Sequence, residues 1–409
     1  MFFFYQIIIS LIVLISPIVI FYRIYKNKED KKRFKEKFSI STKKRLNGKL
    51  IWFHGSSVGE ILSIMPIIKN YEKNKSIKQI LVTSSTLSSS KIIKKFKFKK
   101  TIHQFFPIDH LYFTRKFLNY WKPNLAIFIE SEIWPCMFKN LKNNKIPLVL
   151  LNARLTKKTF NRWIKLESFS RSVFNHISVT YPQNNETINY LKKMKVDKIK
   201  FLGNLKFIEN TDNKKFRIKN NLKKLFKNKR IWVASSTHQN EEIFCSLAHK
   251  ELKKRVNNLL TIIIPRHIHR TNEIISQIEK LNLKVTTHSS FSKNLRDIDI
   301  YIVDTFGDTN KFYKIGSTVF MGGSIIKRGG QNPLEAARLN SKILHGPNID
   351  NFRDVYKFLR LNRLSKKINT PRQLASSIRF KKNKNKGALI KNIGEKILKK
   401  TIKELDRLI

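Results

Sequence analysis

The sequence predicts an α/β protein: two doubly wound parallel-sheet domains facing a cleft, preceded by an N-terminal membrane-anchor helix. Three observations predict it. Short continuous apolar runs alternate with longer helical patterns, as expected of strands buried on both faces between crossover helices. A basic, polar stretch at residues 210–230 parts the chain into two portions of similar size, each with its own set of runs. The stretch MFFFYQIIISLIVLISPIVIFY is apolar apart from Gln6, Ser10 and Ser16, and its length suits a helix crossing a bilayer core. The expected division is an anchor at 1–25, a first domain at 26–209 and a second at 210–409.

The anchor comes first. No Lys or Arg precedes it and no small-residue cleavage site follows, which weighs against a signal peptide. Pro17 would kink a spanning helix without excluding it. Arg23, Lys26, Lys28, Lys31, Lys32 and Arg33 follow directly, so the positive-inside rule sets the rest of the chain on the cytoplasmic side. A helix lying in the membrane is the competing form; length and flanking charge favour the span.

Predicted strands in the first portion are Leu50–Phe53, Gln79–Thr83, Leu125–Ile129, Leu148–Leu151 and Ile199–Leu202. In the second they are Ile231–Ala234, Leu260–Ile264, Ile300–Val303, Thr318–Met321 and Lys342–Leu344. With 41% hydrophobic residues, wholesale disorder is excluded. Net charge is +55, from 83 Lys and Arg against 28 Asp and Glu. Such an excess points to an anionic partner, with compositional drift toward lysine as the plain alternative. The only cysteines, Cys136 and Cys245, are far apart and imply neither a disulfide framework nor a metal site.

Each stretch that could carry chemistry follows a predicted strand, where ligands gather in such sheets. IWFHGSSVGEI sets Glu60 just past a glycine-containing turn, where a helix-start acid is the ordinary explanation. NLAIFIESEIWP ends a strand on Glu130 and Glu132, two acids that need partners or a charged ligand. LLNARLTKKTF supplies Asn152 and Arg154, and FLGNLKF places Lys206 after Gly203 and Asn204. TIIIPRHIHR ends on Arg266 and His267, suited to a phosphate or a base edge. His267 and His269 lack the further clustered ligands a metal needs. IVDTFGDTNKFY sets Gly307 and Asp308 after a strand. VFMGGSIIKRGGQNPLEAARLN carries two glycine pairs, then Asn332 as a helix cap, Pro333 in the first turn and Glu335, whose carboxylate could accept from two ribose hydroxyls. Helix N-termini and glycine loops attract phosphate, although both are also common as plain turns.

Taken in order, these stretches resemble one family, the Kdo (3-deoxy-D-manno-octulosonic acid) transferases of lipopolysaccharide synthesis. HGSSVGE, FPIDH, ESEIWP, NARLT, GNLKF, SSTHQNEE, PRHIHR, DTFGD, and GGSIIKRGGQNPLEAA followed by GPNIDNF all look like that family's blocks. Any one is weak; their order and spacing, from the anchor to about Asp354, are specific. The resemblance implies a GT-B glycosyltransferase that moves Kdo from CMP-Kdo to lipid IVA with inversion, without metal or other cofactor. Its body would work on the cytoplasmic face of the inner membrane, against anionic lipid and not nucleic acid. It further implies that Glu60 is the proton acceptor, and that Glu130 and Lys206 stabilise the transition state. Arg266, His267, Phe306, Gly307, Asp308, Asn332, Pro333, Leu334 and Glu335 would bind CMP. Three departures stand out: Gln331 where the family usually has histidine, Asp308 where it usually has glutamate, and TSSTLSSSK in place of a Thr-Pro-Thr-Gly pattern. Two other readings remain open. One is a membrane-tethered polyanion or nucleic-acid binder, which the acids at strand ends disfavour; the other is a GT-B transferase with a different nucleotide-sugar donor.

Overall fold

The computed structural model describes residues 1–208, 226–290, 297–383 and 385–409. Residues 210–225 of the stretch expected to separate the domains lie outside them. The chain divides into two compact units, Met1–Asn210 together with Ile393–Ile409, and Thr211–Asn392.

The first unit is built on a six-stranded parallel sheet of β1 (Lys49–His54), β2 (Ile77–Ser84), β3 (Thr101–Phe105), β4 (Leu125–Ile129), β5 (Leu148–Ala153) and β6 (Val179–Pro182). The strand order is β3-β2-β1-β4-β5-β6. Trp52 on β1 shows what holds it. Its ring centroid lies 4.8 Å from that of Phe117, 5.1 Å from Phe128 and 6.2 Å from Phe106. Each such side chain taken from water contributes roughly 1.5–3 kcal/mol.

The second unit carries a seven-stranded parallel sheet: β7 (Arg230–Thr237), β8 (Leu259–Pro265), β9 (Val285–Thr287), β10 (Ile300–Ile302), β11 (Thr318–Met321), β12 (Lys342–His345) and β13 (Ser365–Lys367). Its order is β13-β12-β11-β7-β8-β10-β9. Trp232, Ile263, Phe320 and Leu344 belong to its buried core.

In both sheets the strand order reverses beside the first strand, between β1 and β4 and between β7 and β11. Such a switch point opens a crevice at the carboxyl ends of the strands. This positions everything described below.

Two expectations change. The predicted strand Ile199–Leu202 makes only an isolated bridge, Thr180 to Ile199. The second domain does not run to residue 409, because the helix Lys386–Asp406 ends in the first unit. There Ile397 closes on Gly203, Tyr71 donates to Asp406 at 2.9 Å, and Lys200 pairs with Glu404 at 2.9 Å.

The apolar N-terminal helix, α1, spans Phe2–Tyr25. Its first turn is tied to the first unit: Tyr5 donates to Asp109 at 2.7 Å, and Phe2 packs on Phe169. Asp109 also accepts from the backbone N–H groups of Cys136 and Met137, capping the helix Pro135–Asn143.

Candidate active site

The first cluster forms where β1 and β4 part. Beyond His54 the chain turns through Gly55 and Ser56 into the helix Val58–Lys73. Ser57 caps that helix: its Oγ accepts from the Glu60 N–H, and Glu60 reaches back in a capping box. Glu60 Oε2 accepts from the N–H groups of Ser56 (2.7 Å) and Ser57 (3.3 Å). The helix-start explanation for this acid is therefore correct as far as it goes. These bonds and the helix dipole favour the ionised form. Burial and the nearby charges of Glu132 and Glu130 oppose them and win, pushing the Glu60 pKa from 4.5 to about 7.

Glu132 is held differently. Its Oε2 accepts from Ser56 Oγ (2.5 Å) and the Trp134 indole N–H (2.9 Å), and lies 3.0 Å from His54 Nε2. Burial alone would raise its pKa, but the bonds to His54, Ser56 and Trp134 hold it below the usual value. His54 is buried, with its other ring nitrogen 2.9 Å from Thr83 Oγ1, and burial lowers its pKa. Two acids linked through Ser56 thus have their pKa values driven apart, the pattern that assigns one carboxylate to proton transfer and the other to fixed charge. Replacing Glu132 by Gln removes a like charge, so the Glu60 pKa should fall. The acid limb of the pH–rate profile should then move to lower pH, which kcat/KM measured from pH 5 to 9 would register; an unmoved limb would contradict it.

Glu130 sits at the end of β4 in the left-handed backbone region, φ 55°. Non-glycine residues held there cluster at functional sites. Its side chain pairs with Lys206 Nζ at 3.5 Å. Lys206 is fixed in turn by the 3-10 segment Leu205–Phe207, whose first N–H donates to Asn152 Oδ1 at the end of β5 (3.0 Å). Glu60, Glu130 and Lys206 thus stand in one unit, at one end of one sheet.

The second cluster gathers at the carboxyl ends of the second sheet. Arg266 and His267 follow β8, both exposed. Beside them, after β10, Phe306 projects into solvent at 81% exposure, Gly307 adopts φ 91°, and Asp308 is engaged by Thr305 (2.6 Å) and Lys311. Burial would raise the Asp308 pKa, but Lys311 and Thr305 hold it low. The expected cap shifts by one residue: Pro333 occupies the N-cap without a side-chain bond, and Asn332 Oδ1, one position earlier, accepts from the Leu334 N–H at 3.1 Å. The helix it opens is only Leu334–Arg338, so its dipole is slight. Pro333 and Leu334 are buried while Glu335 is partly accessible. The first two therefore have only their backbone to offer a ligand, and they position the third.

One expectation about the glycine loop is corrected. The N–H groups after Gly322 are occupied from within. The buried carboxylate of Glu241 accepts from Gly323 (2.6 Å), Ser324 (3.0 Å) and Ile325 (2.9 Å), and from His238 (3.0 Å). These amides brace the loop instead of awaiting a phosphate. Glycine is required at 322 because a Cβ there would lie 2.3 Å from the Ser236 carbonyl.

His238, just past β7 and within SSTHQNEE, joins this cluster as a further candidate. Its ring lies 5.6 Å from that of His267. Burial, with His267, Arg328, Arg266 and Arg270 nearby, pushes its pKa down to about 4. The signal was positional: His238 follows β7 as the Glu60 turn follows β1. The crowding of cations marks an anion-attracting edge.

Comparison with known proteins agrees with this architecture. Residues 32–209 match the family described as 3-Deoxy-D-manno-octulosonic-acid transferase (kdotransferase). A 3-deoxy-D-manno-octulosonic acid transferase of Rickettsia bellii is 35% identical over 384 residues, covering 93% of this chain and 91% of its own. One of Haemophilus influenzae is 28% identical over 316 residues, covering 76% and 73%. Among solved structures, a glycosyltransferase from Rickettsia africae superposes with a TM-score of 0.56 at 12% identity, covering 89% of this chain and 99% of that one. At that identity the likeness is one of fold, the GT-B plan of two parallel-sheet domains. By its 35% identity to the Rickettsia bellii protein over nearly its whole length, the chain belongs to the 3-deoxy-D-manno-octulosonic acid transferase family.

Proposed function

We propose that this protein transfers Kdo from CMP-Kdo to lipid IVA in lipopolysaccharide synthesis, with Glu60 as general base. Membership of the Kdo transferase family supports the reaction; the observation that carries Glu60 as its base is the place of this carboxylate at the β1/β4 switch point, where burial beside Glu132 and Glu130 pushes its pKa to about 7. A base poised near neutrality is the one best able to take a hydroxyl proton as attack begins. Its Oε2 is bound by the backbone N–H groups of Ser56 and Ser57, which aim the carboxylate for the acceptor hydroxyl.

In the proposed step a sugar hydroxyl of the acceptor attacks the anomeric carbon of Kdo. Glu60 receives its proton, the bond to the phosphate oxygen breaks, and CMP departs as a phosphate monoester. A single displacement inverts the anomeric centre. The first unit takes the acceptor, and the Lys206–Glu130 pair stabilises charge developing there. The second unit holds CMP: Arg266 and His267 meet the phosphate, Phe306 stacks on the base, and Glu335 accepts from the ribose hydroxyls. Gly307, Asp308 and Asn332 to Leu334 shape the pocket by backbone position. Arginine beside phosphate and a base on an aromatic face are the expected pairings.

The body works at the cytoplasmic face of the inner membrane, brought there by α1. Its charge of +55 suits a phosphorylated acceptor in an anionic leaflet.

Base–aromatic stacking is worth roughly 1–3 kcal/mol, so Phe306→Ala should weaken CMP binding by about tenfold in calorimetric titration. Unchanged affinity would remove Phe306 from the site. Competition by CMP but not UDP for the donor would separate this reading from a GT-B transferase using another nucleotide sugar.

A further inference from the structure

α1 does not project from the first unit; it lies along it. Phe2 and Tyr5 pack against the core of that unit, Lys139 Nζ sits 4.4 Å over the Phe2 ring, and Tyr5 holds Asp109. Toward the other end Ser16 and Ile20 are buried, the Phe21 ring lies 6.3 Å from that of Phe34, and Arg23 pairs with Glu29 at 3.2 Å. Residues 2, 5, 6, 9, 10, 13, 16, 20, 23 and 24 are the less exposed ones, so the polar Gln6 and Ser10 lie on this side. Their three- and four-residue spacing marks one stripe of a helix. The rest of the surface is apolar and open: Phe3, Phe4, Leu11, Leu14, Ile18 and Tyr22 are all exposed.

A helix of 24 residues is about 36 Å long, so in a spanning pose Phe2 would be a bilayer's thickness from the body. The contacts of Phe2 and Tyr5 with Lys139, Phe169 and Asp109 forbid that while the helix is docked. Both ends of the apolar surface carry cations, Lys139 beside Phe2 and Arg23 and Lys26 beyond Tyr22. Cations at both ends suit a surface lying along one headgroup layer. The sequence is apolar all round because one stripe meets the protein core and the others need lipid.

We propose that α1 is an in-plane element that seats the first unit in a single leaflet of an anionic membrane, leaving the N-terminus on the same side as the body. This replaces the span expected from hydropathy, and it rests on the proposed membrane association. The shared requirement is tested first: the full chain should float with vesicles containing phosphatidylglycerol. Failure to float would overturn the membrane reading and the in-plane seat together.

Topology is tested next, with an epitope ahead of Met1 and another after Ile409 in inner-membrane vesicles of both orientations. Protease should remove both epitopes from the same side. Protection of the first where the second is cut would overturn the in-plane seat and leave membrane association standing. A Phe2→Cys/Phe169→Cys pair gives an independent measure, because Cys136 and Cys245 are buried. More than half of the membrane-bound chain should crosslink internally on mild oxidation, and no crosslink would contradict docking. Efficient crosslinking of Leu14→Cys between chains would assign the open face to a second copy and overturn the lipid assignment.

Discussion

Glu60→Gln should lower kcat/KM for Kdo transfer at least about a hundredfold, the loss expected when a general base is removed. Three further results distinguish this from damage to the fold. CMP affinity should not change, because the second unit is untouched. The wild-type rate should rise with pH through about 7 as Glu60 ionises, and the residual activity of the variant should lack that limb. Stability should behave oppositely to activity. A carboxyl whose folded pKa is raised contributes stability that is present below its unfolded pKa and lost as pH rises through the folded one. At pH 8 ionised Glu60, half-sequestered beside Glu132 and Glu130, is a burden of the order of 2–3 kcal/mol. Glutamine at the same capping-box position relieves it while keeping a side-chain acceptor for the backbone. The variant should therefore unfold in urea at pH 8 no earlier than wild type. Near-normal turnover in Glu60→Gln would remove Glu60 as the base.

The largest structural effect is expected at Glu241. Its carboxylate accepts four backbone N–H groups, from His238, Gly323, Ser324 and Ile325. Glu241→Ala leaves them unpaired in a buried loop, and each orphaned donor costs roughly 1–3 kcal/mol. Even the lower end, about 4 kcal/mol, is a large part of a domain's stability. Melting of the second unit should fall by roughly 10 °C, and CMP binding should weaken with it, because the loop that carries Asn332 and Glu335 loses its brace. Glu241→Gln keeps the shape with one oxygen fewer and should fall between. A thermal melt within a degree or two of wild type for Glu241→Ala would contradict the bracing role.

The pattern of what the sequence revealed follows from burial. Nine of the predicted strands appear, and all lie inside the two sheets, where apolar runs are continuous. β3, β6, β9 and β13 were not predicted, and they are the four sheet edges. An edge strand has one partner and needs no unbroken apolar run: Thr101, His103 and Gln104 make up most of β3, and β13 reads Ser-Lys-Lys. Ile199–Leu202 is the converse, an apolar run left without a ladder. The stripe of α1 that meets the protein was equally illegible, since an all-apolar helix has no contrasting face.

The positions proposed for the site were marked in the sequence by the strands they follow, as at Glu60, Glu130 and Arg266. Their couplings were not. Ser56 joining Glu60 to Glu132, Asn152 fixing the Lys206 segment, and Glu241 filling the glycine loop all link residues distant in sequence. A helix-start acid is ordinarily held ionised; burial beside two other carboxylates is what raises the pKa of this one.

Kdo transfer is tested most simply by mass analysis of the lipid after the purified protein is incubated with CMP-Kdo and lipid IVA. The expected result is lipid heavier by one or more Kdo residues, with CMP released in equal number, and at most about a hundredth of that initial rate with Glu60→Gln. Lipid IVA of unchanged mass, from protein that is folded and binds CMP, would contradict it.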